Sequence, residues 1–205
     1  MENLLNNQRE IFAKEFEKIL LTQDICDKSL EISSENCGLD KNHYKLLFPG
    51  GLVELLPFVS KLHDEKLLME LSELETPVSI TKRVSLATQL RIKLVDQIIL
   101  QKILSFYSNP LYMVSGLKPI FKTCDIIWRY AGDKSTDYNY YTKRSLLLSV
   151  YLPSLFHYIG DSSINCEKTD EFIDSSLEKI VKLGSLKTRI KLPKIEDIPI
   201  LRMFV

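Results

Sequence analysis

Apolar residues in this chain recur at intervals of three and four, the period of a helix with one face turned inward. Over residues 8–21 the apolar positions Ile11, Phe12, Phe16, Ile19 and Leu20 share a face opposite the charges, which predicts an amphipathic helix. A weaker helix is predicted over 23–36, stopped at Cys37-Gly38, then a short one over 41–47 capped by Asp40 and ended by Pro49-Gly50-Gly51. Two further helices are expected over 51–62 and 64–74, the second capped by Asp64. Thr76-Pro77 breaks the pattern and is the best internal boundary. A long helix then runs from Ser79 or Thr81 to Tyr107, and Ser108-Asn109-Pro110 makes a turn. Helix resumes from Leu111 to Tyr130, interrupted near Gly116 and Pro119, and Ala131-Gly132-Asp133 closes it. Residues 136–159 read as a helix with Thr136 as N-cap, Asp137 at its positive end and a kink at Pro153. After a polar loop, Thr169 caps a last amphipathic helix with Phe172, Ile173, Leu177, Ile180, Val181 and Leu183 inward, stopped by Gly184. The tail from Ser185 to Val205 contains Pro193 and Pro199 and reads as extended. The reading is all-α: a helix-turn-helix-like unit over 1–75, a larger bundle over 76–184 and a tail over 185–205.

Composition supports helices, because 7 Gly and 8 Pro in 205 residues are too few for a loop-rich β design. The formal charge is zero, but residues 1–75 hold 8 Lys and Arg against 15 Asp and Glu, and the remainder is basic. Cys26, Cys37, Cys124 and Cys166 lack the paired short spacings of a disulfide framework or zinc site. No apolar run reaches the ~18–20 residues that span a bilayer. The opening Met1-Glu2-Asn3 lacks the basic, then apolar character of a secretory leader, so a bacterial cytoplasmic protein is expected.

Neither a phosphate-binding glycine loop nor a nucleophile elbow is present. His43, His63 and His157 do not follow a Glu at the spacing of a di-iron helix, and no carboxylate pair stands out. Enzymatic chemistry, a cofactor and a metal are therefore not expected. The unusual stretch is Trp128–Tyr151, which holds the only Trp and 5 of the 9 tyrosines. Asp137, Tyr140, Tyr141 and Arg144 are spaced to share one helix face. Such rings either pack a core or dimer seam, or form an exposed aromatic patch rimmed by charge, the composition of a protein-docking site.

The run WRYAGDKSTDYNYYTKR, with Tyr151 and Asp161-Ser162-Ser163 after it, resembles the signature of the Coq-nine family of ubiquinone (coenzyme Q) biosynthesis proteins. Residues 38–56 also resemble that family's helix-turn-helix stretch. The resemblance implies a TetR-like helical bundle, homodimeric through its last two core helices. It implies a non-catalytic accessory protein that binds an isoprenoid quinone-precursor lipid in the C-terminal bundle. That lipid would be presented to a di-iron demethoxyubiquinone hydroxylase docked on Asp137, Tyr140 and Tyr141. Tyr140 stands where the family usually has Trp, and Leu192-Pro193 and Ile198-Pro199 disfavour a counterpart of its membrane-engaging C-terminal helix. Membrane contact is expected to be peripheral at most.

Three expectations complete the reading. The helices over 136–159 and 169–183 form a dimer. Phe106, Leu117, Phe121 and Trp128 line a lipid cavity bounded by helices from 80–130 and the start of 136–159. Nucleic acid is not bound: a TetR-type transcriptional repressor is the rival reading, yet the acidic head and a candidate recognition helix with only Lys41 and Lys45 suit phosphate contacts poorly.

Overall fold

The computed structural model describes the backbone of residues 2–187 and the side chains of residues 4–182. The amphipathic pattern at the start coils into α1 (Glu2–Leu20), which buries Phe12, Phe16, Ile19 and Leu20 and leaves Ile11 outside. Next, α2 (Asp27–Asn36) ends at Gly38, whose φ of 71° is a left-handed turn that suits Gly. The single turn α3 (Tyr44–Leu47) follows, stopped before Pro49. Phe12, Phe48 and Phe58 pack ring to ring at 5.7 and 5.4 Å, and the Arg9 guanidinium covers the last two at 4.5 and 4.9 Å. Each fully buried Phe or Leu here contributes about 1.5–3 kcal/mol.

The rest of the chain forms α4 (Leu52–Glu73), α5 (Ile80–Lys93), α6 (Gln97–Tyr107), α7 (Pro110–Tyr130), α8 (Tyr138–Ile159) and α9 (Glu167–Lys187). A short 3-10 turn, Ile164–Cys166, precedes α9. Central α4 packs on α1, α5 and α7, while α8 lies between α7 and α9 and α9 returns to α5. Among the described residues every regular element is helical, so the all-α expectation holds. The Thr76-Pro77 break does fall between α4 and α5, but Leu67 and Leu71 before it and Val84, Ala87 and Ile92 after it share one core.

Several boundaries differ from expectation. Asp64 caps nothing: α4 runs unbroken from 52 to 73, and the carboxylate is buried mid-helix, accepting from Arg91 Nε at 2.7 Å and Thr123 Oγ1 at 2.8 Å. The predicted helix over 79–107 divides, because Asp96 accepts from the Ile98 amide at 2.8 Å and starts α6. Asp137, not Thr136, caps α8, accepting from the Asn139 amide at 3.0 Å. α9 starts at Glu167; the Thr169 amide and hydroxyl are instead held by Asp161 at 2.8 and 2.6 Å. Gly184 does not stop α9, which carries on to Lys187, so the tail does not begin at Ser185. Its predicted extended course over 188–205 lies outside the described residues.

Candidate functional site

A cavity opens where α4, α5, α6, α7 and α8 converge. Its free volume for a water-sized molecule is about 70 Å³, so it is a narrow slot. Its walls are apolar: Leu56 and Val59 from α4, Ile92 from α5, Leu100, Ile103 and Leu104 from α6, Ile120 from α7 and Leu155 from α8. Besides His63, polar groups reach it at two places. At one, Arg91 (4% exposed) sends Nε to Asp64 at 2.7 Å and Nη2 to the Ser60 carbonyl and hydroxyl at 3.1 and 3.0 Å. Tyr151, 3% exposed, lies beside it in the same wall. At the other, the Tyr107 ring lies on Gly116, where an added Cβ would approach it to 2.6 Å. The buried Tyr107 hydroxyl has no hydrogen-bond partner among the described residues. Burial pushes Tyr107 and Tyr151 up to about 12, so both hydroxyls are protonated donors near neutral pH.

The aromatic segment lies across α7 from this cavity. Tyr141 is 63% exposed and Tyr138 is still more open, while Tyr140 is half-buried between the Tyr141 ring at 5.0 Å and the Phe121 ring at 6.4 Å. Beneath them Arg144 donates from Nε and Nη2 to Asp125 at 3.1 and 3.0 Å and from Nη1 to Asp133, its guanidinium 4.1 Å from the Tyr140 ring centre. Asp125 also takes Arg129 at 2.9 Å, and Asp133 takes Lys143 at 2.6 Å. Burial alone would raise the Asp133 carboxyl, but Lys143, Ser135 and Arg144 outweigh it and hold the group far below the usual carboxylate range.

The sequence expectations divide on these facts. Asp137, Tyr140 and Tyr141 do come together at the start of α8, Asp137 as an exposed cap. Arg144 needs correction: at 0% exposed it is a buried strut under the patch, since two carboxylates claim its guanidinium. None of the four residues expected to line a lipid cavity lines this slot. Leu117 and Phe121 lie on the opposite face of α7, leading to Tyr140. Phe106 stacks on Tyr112 at 4.6 Å and backs the Tyr107 ring. Trp128 donates Nε1 to the Lys143 carbonyl at 2.9 Å and lines a separate cleft among α5, α8 and α9, with Ile80, Val84, Leu147 and Leu177 in its walls. The slot's lining was not singled out from the sequence, although Arg91 inside the apolar stripe of Ala87, Ile92 and Val95 was a signal for it. His63, 2.9 Å from Glu17, reaches the slot wall, and His157 stacks on Phe172 at 4.8 Å. Among the described residues no cluster of His, Cys, Asp or Glu is placed to hold a metal ion.

Fold and site thus define a helical bundle in which one helix, α7, separates an apolar slot from an exposed aromatic patch. The COQ9 family model matches residues 113–184, a stretch that carries both the α7 wall and the patch. The chain is 28% identical over 145 residues to a ubiquinone biosynthesis protein coq9 of Dictyostelium discoideum, covering 66% of this chain and 47% of that one. It is 28% identical over 169 residues to the ubiquinone biosynthesis protein COQ9 of Xenopus tropicalis, covering 77% and 50%. The Homo sapiens protein of the same name is 32% identical over 88 residues, covering 43% and 28%. These matches support the assignment of the chain to the COQ9 family. The chain spans about half the length, or less, of these curated relatives. All three are named mitochondrial, which overturns the expectation of a bacterial cytoplasmic protein.

Proposed function

We propose that this protein serves ubiquinone biosynthesis as a non-catalytic accessory factor. It holds an isoprenoid quinone-precursor lipid in the slot among α4–α8 and docks a demethoxyubiquinone hydroxylase on the aromatic patch. The observation that carries this reading is the double use of α7. Gly116, Pro119, Ile120 and Thr123 line the slot, while Leu117 and Phe121 face outward toward Tyr140. A helix is ~10–12 Å thick with its side chains, so a bound lipid lies one helix from a partner on the patch. Exposed Leu111, Met113, Val114 and Leu117 extend the apolar surface along α7, in keeping with an interface of anchors set in a polar rim. The C-terminal bundle acts as a homodimer through α8 and α9, where Leu146, Phe156 and Val181 are exposed.

The repressor reading is weaker on the same grounds as before and on two new ones. α3 is a single turn of 4 residues, and Lys41 is paired with Glu31 at 3.0 Å rather than free for phosphate. The test is extraction of purified protein followed by mass spectrometry, with pull-down of the hydroxylase by wild type and Tyr141→Ala. The expected result is an isoprenoid with an aromatic head, and pull-down that the variant weakens. Lipid-free protein that captures no hydroxylase refutes the proposal.

A further inference from the structure

The slot is smaller than the class of ligand proposed for it. Its free volume of about 70 Å³ is under half of the roughly 150 Å³ that admits a single benzene ring, so the lipid-binding reading requires a wall that moves. The walls are not equally tied down. In α7 the side chains that bond to other helices all lie beyond Pro119. Thr123 donates to Asp64 at 2.8 Å, Asp125 accepts from Arg144 at 3.1 and 3.0 Å, and Trp128 donates to the Lys143 carbonyl at 2.9 Å. Among the described residues, positions 110–119 make no side-chain hydrogen bond to another helix. Only Gly116 of that stretch is fully buried, and Leu111, Met113, Val114 and Leu117 are exposed. Residues 120–131, by contrast, bury Thr123, Cys124, Asp125, Ile127 and Ala131. Local opening begins where few side chains are buried and few bonds reach a neighbour.

Pro119 marks the junction between the two halves. It has no amide to donate to the Ser115 carbonyl, so the helical ladder lacks a rung where the halves meet. Two ring contacts with the end of α6 hold the first half down: Tyr112 stacks on Phe106 at 4.6 Å, and the Tyr107 ring lies on Gly116. The second contact is imperfect, because the Tyr107 hydroxyl is buried with no hydrogen-bond partner among the described residues. Opening the contact returns that hydroxyl to water and removes the cost of leaving it unpaired. Resting on the lipid-binding reading above, we propose that residues 110–118 are a lid over the slot, hinged at Pro119 and latched by Tyr107 on Gly116. Opening parts α7 from α6 at Leu104, Tyr107 and Gly116, all of which line the slot, and admits an apolar molecule there. The second half of α7 stays in place, held to α4 through Thr123 and to α8 through Asp125.

Hydrogen exchange on the full chain, read by mass spectrometry, tests the hinge. Amides 114–118, which lie past the free first turn, are expected to exchange at least about a hundredfold faster than those of 121–130. Pro119→Ala restores the missing rung and should slow them at least about tenfold. Gating is tested by stopped-flow mixing with N-phenyl-1-naphthylamine, an uncharged apolar fluorophore. In Tyr107→Cys/Gly116→Cys the two thiols come within disulfide reach, since a Cβ on Gly116 would lie 2.6 Å from Tyr107 Cγ. The oxidised variant is expected to take up the fluorophore at least about tenfold more slowly than the same variant after reduction. Wild type, with its four free cysteines, should be indifferent to the reductant. Pro119→Ala, which needs no cross-link, should slow uptake in step with its slower exchange. Lid amides as protected as the rest of α7, or equal uptake by the oxidised and reduced forms, overturns the lid and leaves the slot a lipid site. No uptake by wild type removes the lipid-binding reading and the lid together.

Discussion

Arg144→Met tests the claim that the aromatic patch is built on a buried ion network. Methionine keeps much of the aliphatic stem, so the change chiefly removes charge and hydrogen bonds. Lost are the contacts of Nε and Nη2 with Asp125, of Nη1 with Asp133, and the guanidinium under the Tyr140 ring. Removing one partner of a buried pair costs about 3–5 kcal/mol, because the remaining charge is stranded. Here both carboxylates keep a cation, Arg129 at 2.9 Å and Lys143 at 2.6 Å, which puts the cost near the lower end, about 3 kcal/mol. For a chain of this size that corresponds to a fall in melting temperature of about 6–12 °C. Circular dichroism melts at pH 7 measure it, with Arg144→Met/Asp133→Asn as the companion. The double variant removes a buried carboxylate that has lost one of its two cations and should melt above the single. A single variant within about 2 °C of wild type, or a double that melts lower than the single, would refute the network as the support of the patch.

Other perturbations separate surface from interior. Tyr141→Ala should cost about 2 kcal/mol of hydroxylase binding with little change in melting, as an exposed anchor would. Tyr140→Ala, packed on Phe121 and Arg144, should lower the melting temperature as well; the reverse pattern in pull-downs and melts would exchange their roles. Asp161, held low by hydrogen bonds from Ser163 and Thr169, and Asp133 both have carboxyls below their unfolded value. Their stabilisation is therefore full above pH ~4 and fades as pH falls through the folded values. Asp161→Asn should flatten the acid side of a melting-temperature profile, and an unchanged slope below pH ~4 would exclude Asp161. Gly116→Val pushes a side chain into the Tyr107 ring and should cost about 1–3 kcal/mol in urea unfolding while displacing co-purified lipid.

What the sequence made legible were features written in neighbouring residues. Asn109-Pro110 starts α7 as expected, with the Asn109 side chain accepting from the Leu111 amide at 3.0 Å. Gly38 and Gly132 close helices in the left-handed region. The tyrosine-rich start of α8 was visible for the same reason, since its members lie within a turn or two of each other. Asp64 and Asp96 show where local reading fails. Each is an acid with cap-like sequence around it, yet Asp96 caps and Asp64 does not, because only Asp64 meets Arg91 and Thr123 from distant helices. The cavity residues failed likewise. An apolar stripe specifies that a side chain is covered, not whether its cover is another side chain or a slot. Phe121 and Leu117 were therefore indistinguishable in sequence from Ile120, one residue away on the other face.

That one-residue difference carries the functional argument. Positions 116, 119, 120 and 123 of α7 fall within one arc of the helix, and 114, 117 and 121 fall roughly opposite. The inner arc includes Gly116, which admits the Tyr107 ring, and Pro119, which gives up one backbone hydrogen bond of the helix. Both choices cost helix stability, and at Gly116 the return is close packing, since a Cβ there would approach the Tyr107 ring to 2.6 Å. They are explained if α7 is a wall shaped from the inside. The outer arc, ending at Phe121 against Tyr140, is fixed in turn by the Arg144 network that anchors α8 to α7 through Asp125. If the slot is occupied and the patch engaged as proposed, both act on one helix, and any change the ligand makes in partner affinity must be matched by an equal change the partner makes in ligand affinity.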